Sequence, residues 1–117
     1  MLGRHAIKRP RFDFRGVTED QSAFRQTAVA FEDLAVAAYK GQLPRIRAVP
    51  YLMSAVQIHS VEARHAAWIR RLAGRLPAPD AFDQPLGMPK VGAIVADTRF
   101  VVSSPKTSGR RNPKFTG

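Results

Sequence analysis

From Thr18 onward the apolar residues recur with a helical period. Phe24, Ala28, Phe31, Ala35 and Ala38 are spaced four, three, four and three residues apart, which lines one face of an α-helix. The spacing predicts a first helix over about 18–40. TEDQ, Thr18 to Gln21, reads as a capping box in which Thr18 accepts from the backbone and Gln21 reaches back. Glu19 and Asp20 suit the positive end of the helix dipole, and Gly41 is the expected stop.

The connection GQLPRIRAVP is short, and a short connection between long amphipathic helices predicts an antiparallel hairpin. Pro50 suits a first helical turn, and the second helix is expected over about 49–73, ended by Gly74. At about 100° per residue, Tyr51, Ala55, Ile58, Glu62, His65, Ile69 and Leu72 fall on one stripe, with Ser60, Arg64 and Arg71 opposite. The Pro-broken RLPAPDAFDQPLGMPK is expected to wrap the surface. VGAIVADTRFVV fits a helix or a strand, and a short helix over 91–96 is the reading taken. The expected fold is all-α: a helical hairpin within a body of 18–103, an extended basic segment 1–17 and a disordered basic tail 104–117.

The stripe on the second helix raises a chemical question, because Glu62 and His65 sit in the middle of a seam expected to be buried. An isolated buried carboxylate costs several kcal/mol unless it is paired or bound to a metal. Glu-x-x-His at i, i+3 lets one helix offer a carboxylate oxygen and an imidazole nitrogen to a single metal ion, as in di-metal carboxylate bundles. Glu32 on the first helix, flanked by the small Ala28 and Ala35, is a candidate third ligand. At 1.5 Å per residue, Glu32 lies about 12 Å before its helix end and Glu62 about 18 Å into the next helix, so a loop overshooting by about a turn brings them level. The competing reading satisfies Glu62 and His65 by hydrogen bonds, to Tyr51 or to an arginine. Asp33 is expected to face solvent, and His59 and Trp68 to serve packing. His59, Glu62 and His65 do not make the HExxH of zinc proteases. The chain has no Gly-rich phosphate loop and no nucleophile–base arrangement.

Composition narrows the choice. With no cysteine among 117 residues, disulfides and thiolate metal sites are excluded. The net charge of +10 invites a polyanion partner, but residues 1–16 and 105–117 carry +4 each and residues 17–104 only +2. The basic ends therefore suit weak, salt-sensitive, non-specific polyanion binding rather than a built interface. No apolar run is long enough to span a membrane, and the N-terminus lacks the apolar stretch of a signal peptide. As written the chain is expected in the cytoplasm, and exported if a longer N-terminus carries a signal.

PRFDFRGVTEDQSAFRQTAVAFEDLAVAAYKGQLPRI, AVQIHSVEARHAAWIRRLAG and PAPDAFDQPL together resemble the ferritin-like domain family that includes desiccation-related proteins, over roughly residues 9–102. The resemblance implies a four-helix bundle, with Glu32 as the single-Glu ligand of its third helix and Glu62 and His65 as the Glu-x-x-His pair of its fourth. It implies iron or manganese as the metal. Members carry two earlier helices with another Glu and another Glu-x-x-His, whereas the glutamates here are Glu19, Glu32 and Glu62. The expectation is a truncated, C-terminal-half ferritin-like protein. It is then a fragment, or pairs with a separate chain carrying the first helix pair, or forms a two-fold homodimer that completes the ligand set. A lone hairpin would expose an apolar face and is expected not to be a stable monomer. Ferrous oxidation is the chemistry a complete site implies, although fold alone does not fix an activity. The alternative is a metal-free structural or stress-protection module.

Overall fold

A computed structural model describes residues 9–103; the expected tail 104–117 and the first eight residues lie outside that range. Three α-helices and two short strands follow in order: β1 (Arg11–Phe12), α1 (Gln21–Gln42), α2 (Val49–Leu72), α3 (Met88–Asp97) and β2 (Val101–Ser103). The fold is helical with one very small sheet, in which β1 and β2 pair antiparallel, Arg11 opposite Ser103 and Phe12 opposite Val101.

Helix α1 starts three residues later than the capping-box reading placed it. Asp20, not Thr18, is the N-cap, and its Oδ1 accepts from the Ala23 N–H at 2.6 Å. A carboxylate at this position both satisfies an orphan N–H and complements the helix dipole, so it outcompetes the hydroxyl two residues earlier. Gly41 does not end α1, which runs on to Gln42. It serves close approach instead: a Cβ there would run into the backbone of Leu86, whose N–H donates to the Ala37 carbonyl at 2.9 Å. The expected surface wrap of residues 75–90 is thus anchored on α1 through a glycine, and its last three residues, Met88 to Lys90, open α3 instead.

A 3-10 turn, Leu43–Arg45, links α1 to α2. Pro50 lies in the first turn of α2. At its other end Gly74 adopts φ +71°, and the Gly74 N–H donates to Arg71 while Arg75 donates to Arg70 at 2.8 Å, the Schellman arrangement that closes a helix. The short helix expected over 91–96 is α3, longer at both ends, and the residues after it form β2. The ambiguous segment therefore holds both a helix and a strand.

The two long helices run antiparallel: Gln26 meets Arg75, and Asp33 meets Arg70. The core between and around them is small, with Val29, Leu34, Val36, Ala55 and Ala66 buried. This corrects the predicted seams. On α2 the sheltered positions are Leu52, Ala55, His59, Glu62, Ala63, Ala66, Ala67, Ile69 and Arg70, a face turned roughly 85° from the predicted stripe at 100° per residue. Tyr51, Ile58 and Leu72 of that stripe are exposed, Tyr51 by 73%. On α1, Phe24 is exposed and Phe31 stacks on Phe100 at 5.9 Å.

Candidate metal centre

Antiparallel packing sets the face of α1 that carries Glu32 beside the middle of α2, where Glu62 and His65 stand one turn apart. Glu32, Glu62 and His65 each offer a ligand atom, and these atoms all lie within 4.8 Å of one another. His65 Nδ1 stands 3.6 Å from Glu32 Oε2 and 3.6 Å from Glu62 Oε2. The three residues singled out in the sequence therefore form one cluster spanning two helices.

The cluster lies at the margin of the helix–helix contact. Glu62 and Glu32 are part-covered, their side chains 24% and 32% exposed, whereas His65 is 56% exposed. The predicted burial of His65 is thus not seen. His65 points to the open side, so the cluster is walled by α1 and α2 and accessible from beyond them.

Electrostatics here are strained. Burial raises the Glu32 carboxyl above its ordinary value, and a hydrogen bond with Glu62 and the Glu62 charge push it the same way. His65 acts in the opposite direction. Two carboxylates held against one another disfavour double ionisation, and a divalent cation between them would remove that penalty. A set of two carboxylates and one imidazole suits divalent first-row metals such as iron or manganese. These residues fit such an ion, and three donors leave coordination positions free.

Asp33, adjacent to Glu32, is not the solvent-facing residue expected from the sequence. It accepts from Arg70 Nε at 2.8 Å and from Arg70 Nη2 at 2.6 Å, a part-buried bidentate pair that ties α1 to α2 one side of the cluster. The sequence did not announce it: at about 100° per residue Arg70 lies well away from the stripe predicted to face α1. Its partner could not be read, because pairing depends on the relative height of the helices.

The two antiparallel helices thus bring one Glu and one Glu-x-x-His pair into a single cluster, the donor types that carboxylate-bundle metal sites draw on. The chain matches the ferritin-like domain over residues 1–75 and belongs to that family. Helices α1 and α2 fall inside the matched range, and α3 and β2 outside it. Among curated proteins, none matches the chain. No helix among the described residues is long and apolar enough to cross a membrane.

Proposed function

We propose that this ferritin-like protein binds iron or manganese through Glu32, Glu62 and His65, and that a second chain completes the site. The observation that carries the reading is the convergence of three ligand atoms from two helices within 4.8 Å. In this reading Glu32 and Glu62 would each offer a carboxylate oxygen to the ion, and His65 would offer a ring nitrogen. Iron, when bound, would supply ferrous oxidation chemistry. The chain's own part is to hold two carboxylates together before the ion arrives.

A second copy of this chain supplies the remaining ligands most economically. Tyr51, Ser54, Ile58, Val61, His65, Trp68 and Leu72 repeat at three- and four-residue intervals down α2, the spacing of a helix–helix seam. Tyr51, Ile58, Val61, Trp68 and Leu72 are all exposed. Trp68 is 67% exposed, so it is not the packing residue expected from the sequence. A two-fold axis beside this strip brings two single glutamates and two Glu-x-x-His pairs together, the ligand count of a di-metal bundle. The desiccation-related role implied by the sequence resemblance would be a setting for such an assembly.

Metal-dependent melting tests the metal assignment. A ligand at about 100 times its Kd adds roughly 2.7 kcal/mol of stability, which at this size raises Tm by roughly 10 °C. Mn(II) or Fe(II) is expected to do so for the native chain and not for Glu62→Gln or His65→Ala. An equal melting temperature with Mn(II), Fe(II) and chelator would reject the metal reading and leave a metal-free assembly module.

A further inference from the structure

The chain contains seven phenylalanines, and five of them, Phe12, Phe14, Phe24, Phe31 and Phe100, line one cavity of about 340 Å³. The ribbon of β1 and β2 builds one wall, and α1 the other. Phe14 meets Phe100 edge-on at 5.4 Å, Phe31 stacks on Phe100 at 5.9 Å, and Phe12 stacks on Phe14 at 6.0 Å. The Asp13 N–H donates to the Phe100 carbonyl at 2.8 Å and fixes the two strands' approach. One charged residue belongs to this lining, Glu32, whose carboxylate also meets His65 at 3.6 Å.

The volume and the lining specify a ligand. An apolar cavity of about 150 Å³ takes benzene, so this one takes an aromatic ring with a short side chain, within the usual range of small-molecule sites. A neutral ligand would gain no charge contact at Glu32, and an anionic one would be repelled there. An ammonium group gains both the carboxylate and the negative faces of the phenyl rings. We propose that the cavity binds a primary arylalkylamine, its ring among the phenylalanines and its ammonium on the Glu32 carboxylate. Val95, Thr98, Phe100 and Val101 of this lining lie outside the residues matched to the family. The proposal does not require a metal, although both ligands would meet at Glu32.

The test is calorimetric titration of the full chain in chelator-containing buffer with 2-phenylethylammonium, its neutral isostere 2-phenylethanol, and methylammonium. The ammonium form is expected to bind at least tenfold more tightly than either control. Glu32→Gln is expected to reduce it to the level of 2-phenylethanol. Thr27→Trp, which fills the cavity from α1, is expected to abolish both. Phe100→Ala, placed outside the helical hairpin, repeats the loss should Thr27→Trp not fold. Equal binding of the charged and neutral probes, no binding of either, or binding that survives both cavity variants would overturn the proposal. Because chelator is present throughout, a failed metal reading leaves these outcomes unchanged, and the reverse holds for the melting test.

Discussion

Glu32 carries conflicting demands. Its carboxyl is raised above the ordinary 4.5 by burial and by Glu62, so the folded chain holds this proton to a higher pH than the unfolded chain does. Stability linked to Glu32 is therefore present at low pH, is lost as pH rises from 4.5 through the raised value, and stays lost at neutrality. Glu32→Gln removes that loss. The metal-free variant is expected to melt above the native chain at pH 7, with the advantage shrinking toward pH 4, while its response to Mn(II) disappears. Thermal scans across that range check this, and an advantage that stays constant or grows on acidification would be the wrong result. Asp33 makes the opposite case, because its carboxylate is already matched. Asp33→Ala leaves the part-buried Arg70 without its fork partner and should cost about 1–3 kcal/mol in denaturant unfolding. A cost near zero would show that the pair is merely a surface contact.

At the scale of elements, both long helices were legible in the sequence, because each repeats its apolar residues with one period, and α2 also begins and ends on recognisable chemistry. Pro50 and Gly74 stand where a helix start and stop require them. The faces were less legible. Periodicity marks where large apolar side chains lie, whereas on α2 the buried residues are the small Ala55 and Ala66, with Tyr51 and Ile58 exposed. The large residues mark a face that needs another partner. The pairing of β1 with β2 was illegible because its two strands lie about ninety residues apart, and no local pattern announces such a ladder. Gly41 was misread for a related reason: its role depends on Leu86, which packs on it from a distant loop. In Gly41→Ala the better helix propensity of alanine is worth about 1 kcal/mol, and the collision with the Leu86 backbone about 1–3 kcal/mol or more. A net loss of stability is expected, and a net gain on thermal unfolding would mean that the loop simply moves aside.

For the whole molecule, the candidate ligands were legible because each departs from its setting: Glu62 and His65 interrupt an apolar pattern, and Glu32 sits between alanines. Their convergence was not, since it needs the relative height and rotation of two helices. The same geometry leaves the cluster open on the side of His65 and the exposed strip of α2 beside it. Sedimentation of the purified chain, with and without Mn(II) or Fe(II), tests the central claim of a metal site completed by a second copy. A site shared between two copies requires a dimer that tightens with metal and loses that response in Glu62→Ala. A mass indifferent to metal, or a response retained in Glu62→Ala, would contradict it.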